Sequence, residues 1–451
     1  FAAFLDHTDV QIGRLVDGLR RLGQLEDTIL VVLADNGASQ EGGPYGVLHE
    51  MKFFNGILET PAEAVARIDD IGGPRSHTNY PWGWAQCGNT PFRWYKQNTH
   101  EGGVHVPMVV HWPSGIDAAQ RGTKRDQFAF VADIVPTLYD LLGIEPPSVR
   151  NGLDQLPVTG CSFAAALHDP DAPTANPVQY FENAGSRAII ADGWKAVTKH
   201  AAGADYDTEP WELHHLAADP SETEDLAARE PERLQELIRL WWAEAERHGV
   251  LPLDDRTIEL FGARFRARSP HPPDRRYVYR PPMSPLPGQA GAAIGGRSFD
   301  LTAAITHDPD AEGVLFATGT ENAGLSLFVQ AGRLVLDYNA FGDHTIVESD
   351  AEIPSGDVQV GIRLRRLDGF AGTATLSVDG RDAGHADLAL FMRMMSSIGP
   401  SIGADHGSAV SDRYAAPFPY GGTLHEVVIQ ASPDRFGDTT ATTARAEMSR
   451  Q

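Results

Sequence analysis

Thr28-Ile-Leu-Val-Val-Leu33-Ala34-Asp35-Asn36-Gly37 is the stretch that decides how the first half of this 451-residue sequence folds. The run from Thr28 to Leu33 shows no apolar–polar alternation, the pattern of a central parallel strand buried on both faces. Just upstream, Ile12, Leu15, Val16, Leu19 and Leu22 fall on one helical face, Asp17, Arg20 and Arg21 lie off it, and Gly23 is a stop signal. Helix, short loop and buried strand make half of a doubly wound α/β unit. In open α/β sheets ligands collect at the carboxyl ends of strands. There Asp35 and Asn36 offer two hard oxygen donors suited to Ca²⁺ or Mg²⁺, and Gly37 lets the chain turn sharply. Asp-Asn-Gly is equally good turn chemistry, so both readings stand at this point.

The same grammar continues downstream. Val106-Pro-Met-Val-Val-His-Trp112 reads as a second strand. Asp133-Ile-Val-Pro-Thr-Leu-Tyr-Asp-Leu-Leu-Gly143 reads as a helix with Asp133 as its N-cap and Gly143 closing it. Before the second strand lies Arg93-Trp-Tyr-Lys-Gln-Asn-Thr-His-Glu-Gly-Gly-Val-His-Val-Pro107. A lysine on such a loop, Lys96, either clamps an anionic substrate oxygen or is a solvated loop residue. From about residue 179 the pattern becomes a small antiparallel sheet. Ala188 to Thr198 is a hairpin turning at Asp192-Gly193, Trp211 to Leu216 adds a strand, and Pro231 to His248 is a closing helix. His214 and His215 are read as structural.

The segment from Leu251 to Gly296 holds eight prolines, while all eight tryptophans and all five lysines precede it. It reads as a linker. Beyond it Gly313–Ala317, Leu325–Val329, Arg333–Tyr338, Val358–Leu364, Thr373–Val378 and Leu424–Gln430 are short strands separated by glycine-rich turns, the rhythm of an antiparallel sandwich. The expected boundaries are 1–178 for an α/β portion, 179–250 for the small sheet and helix, 251–296 for the linker, 297–434 for the sandwich and 435–451 for a tail. Gly399-Pro-Ser401-Ile-Gly403 matches the G-x-S-x-G hydrolase elbow, but in a β-rich, glycine-rich setting it reads as a loop. Asp308, Asp310 and Glu312 lack calcium-loop spacing and read as a surface turn.

There are 37 Lys+Arg against 61 Asp+Glu, a formal net charge of −24. So acidic a chain repels phosphate backbones and anionic lipid, which argues against nucleic acid as a partner. No stretch of about eighteen apolar residues is present, so no membrane-spanning helix is expected. Cys87 and Cys161 rule out a disulfide scaffold and read as two reduced thiols, compatible with cytoplasm or periplasm, the cytoplasm being favoured. The opening Phe-Ala-Ala-Phe-Leu-Asp-His has the character of a helix interior, and the expectation is that the chain begins inside a fold.

In order and spacing, several of these segments resemble the later part of a type I sulfatase of the alkaline phosphatase superfamily. They are Ala34-Asp35-Asn36-Gly37 after its strand; Lys96-x-x-Thr99-x-Glu101-Gly102-Gly103 before Val106-Pro107; Asp133-Ile-Val-Pro-Thr137; and Trp211-Glu-Leu213 with Asp219-Pro-Ser-Glu222 and Asp225-Leu-Ala227. The stretch Ser76 to Gln86 looks most like bacterial arylsulfatases. The resemblance implies an α/β fold with a mainly parallel, doubly wound sheet, a small antiparallel subdomain and hydrolysis of small-molecule sulfate esters. It implies Asp35 and Asn36 as ligands of a divalent cation, calcium before magnesium, and Lys96 as the donor to a sulfate oxygen. It also implies a formylglycine nucleophile made from C/S-x-P-x-R by formylglycine-generating machinery. No such motif occurs in this sequence, and the expectation is that it lies upstream and that this chain alone is inactive. His105 stands where the family usually carries arginine. The C-terminal strands resemble concanavalin A/laminin-G-like domains through Leu334–Asn339 and Leu376–Arg381. The rival readings are a phosphatase or phosphonate monoester hydrolase of the same superfamily, and a non-catalytic carbohydrate- or protein-binding module.

Overall fold

The computed structural model describes residues 1–256, 275–395 and 398–432. The chain divides into two compact units, one of Phe1–Gln40 with Trp82–Thr257, the other of Glu41–Pro81 with Ile258–Gln451.

In the first unit the helix Ala2–Arg21 ends as its periodicity requires, with Gly23 at φ +67° just beyond it. None of its residues is fully buried. The strand Leu30–Leu33 forms, but its one partner is Met108–His111, and the pairing is antiparallel, with Val31 opposite Val110. The expectation of a parallel strand flanked on both sides is therefore corrected for this pair. Among the described residues no further strand covers its free edge, and Leu33 and Val109 remain exposed. An unalternated apolar run calls for cover on two faces but does not fix the direction of its neighbour.

Ile134–Leu142 is helical and closes on Gly143 in the left-handed region. Asp133 stands at its N-cap without capping it. Its carboxylate instead accepts the backbone N–H of Phe130 (2.7 Å) and of Cys161 (2.7 Å), pinning two loops to the helix start. Cys87 and Cys161 are both free thiols. Strands Val178–Asn183, Ser186–Ala191, Trp194–Thr198 and Glu212–His215 form an antiparallel meander. Its tight turn has both Asp192 and Gly193 at positive φ, the type I′ geometry that matches strand twist. Helix Pro231–Arg247 lays Leu237, Trp241 and Ala245 on Ile189, Ala196 and Leu213, a core built by 3.6-residue periodicity against period-two strands.

The second unit holds two antiparallel sheets. One runs 381–388, 372–378, 356–366, 299–307, 423–431, 276–279; the other runs 343–348, 333–340, 323–330, 313–320, 401–402. Alternate residues Phe299, Leu301, Ala303 and Ile305 share one core with Leu325, Leu327, Leu334 and Leu336 of the other sheet, making a β-sandwich. The opposite face of the five-stranded sheet is covered too, with Val314, Phe328 and Val335 packed on Val410, Tyr414 and Phe418. That double cover explains why Leu325 to Val329 is apolar or small at every position.

Two expectations need correction here. Of the proline-rich segment, residues 257–274 lie outside the described residues, as does the tail 435–451. Residues 276–279, however, are an edge strand paired with Val427–Gln430, and Tyr277, Tyr279 and Ile294 are buried in the sandwich core. Tyrosines two apart face one side of a strand, and that alternation outweighs the prolines that follow it. Second, residues 41–81, placed by sequence in the α/β portion, group with the sandwich. Met51 joins its core, and the fully buried Asn55 carboxamide donates to the carbonyls of Met51 and Met394 (2.7 Å each) and accepts from the backbone N–H of Arg393 (2.6 Å). Ser401–Ile402 is a short strand paired with Phe316–Ala317, so the G-x-S-x-G match is no nucleophile elbow. Asp308 to Ala311 is a turn, and the Glu312 carboxylate accepts the Ala331 N–H.

Candidate active site

Directly after the strand Leu30–Leu33 the chain bends, leaving Asp35 exposed and Asn36 half-buried. The bend is bonded to the loop carrying Lys96. Gly37 N–H donates to the Gly103 carbonyl (3.1 Å), and Lys96 N–H donates to the Ala38 carbonyl (3.0 Å). Gln40 and Gln97 join their carboxamides at 2.5 Å. Asn89 acts as a clamp. Its Oδ1 accepts from Ala38 N–H (2.9 Å), while its Nδ2 donates to the carbonyls of Trp94 (2.9 Å) and Gly102 (2.7 Å). Contact here is so close that a Cβ on Gly37 would stand 1.7 Å from the Gly102 oxygen, and one on Gly103 would stand 1.9 Å from the Asn98 oxygen. Only glycine allows these backbones to meet. The structure thus joins the two sequence segments singled out for Asp35, Asn36 and Lys96.

Behind Lys96 the loop is anchored by a buried ion cluster that sequence reading missed. Lys195 Nζ lies 2.8 Å from Glu101 Oε1 and 2.9 Å from Glu222 Oε1, with the side chains of Lys195 and Glu222 fully inaccessible. The second oxygen of Glu222 accepts the Glu101 N–H (2.8 Å), and Glu222 itself is held at φ +54°. A non-glycine residue in that region is costly and needs surroundings that over-determine it. Burial works to raise the Glu101 pKa, but the Lys195 charge and a hydrogen bond from His105 outweigh it and hold the carboxyl down at about 2. His105 Nδ1 is 2.7 Å from Glu101 Oε2 and its ring stacks on Phe92 at 4.3 Å, so His105 partners this carboxylate. Lysine inside the otherwise apolar strand Trp194–Thr198 was the available signal, because a buried ammonium demands carboxylate partners.

His100 is 2% exposed, and among the described residues neither ring nitrogen has a hydrogen-bond partner. Burial first, then Lys195 and Arg93, push its pKa down to about 3. On the cleft side of the loop, Arg93 Nη1 pairs with Glu212 Oε2 at 2.5 Å, and His214 Nε2 meets the same oxygen at 3.1 Å.

The donors at the strand end are oxygens only, the chemistry of hard cations. Two are present, and among the described residues no group of three or more His, Cys, Asp and Glu gathers as a metal cluster. Asp35 and Asn36 thus suit a partial shell for such a cation.

A sulfatase family model matches residues 1–144, which contain both loops. The N-terminal part of this chain is similar to the sulfatase family. An uncharacterized sulfatase of Schizosaccharomyces pombe is 30% identical over 271 residues, covering 58% of this chain and 46% of that protein. An arylsulfatase of Klebsiella aerogenes is 29% identical over 166 residues, covering 37% of this chain and 33% of its own length. A Bacteroides thetaiotaomicron structure described under glycosaminoglycan metabolism aligns at 20% identity and a TM-score of 0.35, covering 52% of this chain and 42% of that one. The chain therefore spans less than half the length of these relatives. Among the described residues no helix is long and apolar enough to cross a membrane.

Proposed function

We propose that the N-terminal unit forms part of the active site of a metal-assisted sulfuric ester hydrolase acting on small-molecule sulfate esters. The observation that carries this reading is the hydrogen-bonded junction of the Asp35-Asn36-Gly37 bend with the Lys96 loop, lying inside the sulfatase match. Asp35 and Asn36 would hold a divalent cation through carboxylate and carboxamide oxygens, with calcium the preferred occupant. When bound, such a cation supplies positive charge to a sulfate oxygen and to the charge that develops as the ester bond breaks. Lys96 would donate to a second sulfate oxygen, a point charge placed on a loop that Asn89 and the Lys195 cluster keep from shifting. Preorganised donors of this kind lower a barrier because they need no rearrangement during the reaction.

The nucleophile of this reading is not among the 451 residues, since no C/S-x-P-x-R sequence occurs in them. On this reading it would be a formylglycine supplied from outside these residues. The test is the natural polypeptide that contains these residues, assayed with 4-nitrophenyl sulfate, 4-nitrophenyl phosphate and a phenylphosphonate monoester under one set of conditions. Preference for the sulfate ester, lost when the C/S-x-P-x-R cysteine or serine is replaced by alanine, supports the reading. Preference for either phosphorus ester assigns the site to the phosphatase branch. Absence of turnover with all three, at intact fold, favours the binding-module reading of the chain.

A further inference from the structure

An open cleft of about 860 Å³ in the first unit is lined by residues that include Phe92, Arg93, Lys199, Trp211, Glu212 and His214. Asp35, Asn36 and Lys96 do not line it. Its size is that of an ordinary small-molecule site. Its charges are unevenly partnered. Glu212 is taken by Arg93 and His214, and Glu222 by Lys195. The Asp225 carboxylate accepts the backbone N–H groups of Leu213 (3.0 Å) and Ala227 (2.9 Å). Lys199 is the exception. Its Nζ stands 4.1 Å from the centre of the Trp94 ring, and among the described residues no carboxylate pairs with it. Of the two cations that line the cleft, Arg93 is held by Glu212, while Lys199, with no carboxylate partner among the described residues, is the one a bound anion would meet first. Phe92, Trp211, Pro91 and Pro210 also line the cleft and bring apolar surface to it.

We propose that this cleft binds a small aryl anion, an arene bearing a sulfonate or carboxylate, with the anionic group on Lys199 and Arg93 and the ring against Trp211 and Phe92. The site is separate from the one assigned to Lys96, although Arg93 and Lys96 share a loop, and it does not depend on the sulfatase reading.

The probe is naphthalene-2-sulfonate, titrated into the 451-residue chain in 20 mM salt and followed by calorimetry and tryptophan emission. Saturable one-site binding is expected, with Lys199→Gln weakening it by roughly 10–100-fold, the worth of one charge-assisted hydrogen bond. Lys199→Arg should keep most of the affinity, Lys96→Ala should leave it unchanged, and the neutral 2-naphthol should bind at least about tenfold more weakly, since it lacks the charge. Raising salt to 300 mM should weaken the sulfonate and not the naphthol. Lys199 is exposed, so its replacement should preserve the fold; should it not, the naphthol and salt comparisons decide alone. No saturation, equal binding of the neutral ring, binding indifferent to Lys199→Gln in a folded variant, or loss in Lys96→Ala would each overturn the proposal.

Discussion

Replacing Lys195 by methionine should destabilise the first unit severely, and the structure sets the scale. Lys195 is the cation between two buried carboxylates, at 2.8 Å from Glu101 and 2.9 Å from Glu222. Glu101 is displaced from an ordinary 4.5 to about 2, net of a burial effect that acts the other way. A shift of that size corresponds to about 3 kcal/mol of native-state stabilisation. Removing one partner from a buried ionic group costs about 3–5 kcal/mol by mutational precedent, because the remaining charges stay buried and uncompensated. For a domain of 150–250 residues that is a fall in melting temperature of roughly 6–20 °C. The pH dependence carries a definite sign. A carboxyl with a depressed native pKa contributes stability that is fully present above its unfolded value and is lost as pH falls from about 4.5 toward 2. Calorimetric melting of wild type and Lys195→Met at pH 7 should therefore show the full gap, and melting near pH 3 a smaller one. Combining Lys195→Met with Glu101→Gln and Glu222→Gln should recover more than half of the loss, since neutral amides need no cation. A melting temperature within about 2 °C of wild type at pH 7, or a gap that does not narrow in acid, would refute the argument.

Two further substitutions probe packing, one in each unit. His100→Phe should raise stability by about 1 kcal/mol in urea unfolding, because it removes two buried ring nitrogens that have no partner among the described residues; a loss of that size instead would show that an ordered water serves them. Asn55→Ala should cost the sandwich unit about 2–4 kcal/mol and open residues 41–81 to protease, as the backbone groups of Met394 and Arg393 lose their partner; a cost under about 1 kcal/mol would mean that the stretch is held by its apolar contacts alone.

Much of the architecture was legible because it rests on local periodicity. The hairpin at Asp192-Gly193, the helix Pro231–Arg247 and all six C-terminal strands read from sequence are present. Strand direction was not legible, because an apolar run such as Leu30–Leu33 reports burial and says nothing about its partner. Nor was the allegiance of residues 41–81, which depends on contacts between Asn55 and a loop more than three hundred positions away. Tyr277 and Tyr279 were hidden by the surrounding prolines. At the candidate site, Asp35, Asn36 and Lys96 were singled out by residue type and by resemblance, and backbone hydrogen bonds join the two segments that carry them. The parts that hold those loops were missed for a physical reason. Asn89, Glu101, Lys195 and Glu222 act by bonding to backbone and to one another across the fold, and no spacing rule encodes that. Only the presence of a lysine in an apolar strand hinted at it.

The account rests most heavily on the division of labour between the strand end and the loop lysine. The direct measurement is bound metal, by elemental analysis, together with kcat/KM for 4-nitrophenyl sulfate, in the natural polypeptide that contains these residues. Asp35→Ala should lose cation and turnover together, and Asn36→Ala should weaken the metal less. Lys96→Ala should keep its full metal content while kcat/KM falls by roughly 10²–10³-fold, the effect of removing one preorganised donor. Lys96→Arg should not fully restore it, since a planar guanidinium is a poor copy of a point charge. A Lys96→Ala protein that retains near-normal turnover, or that loses its metal, would contradict the account.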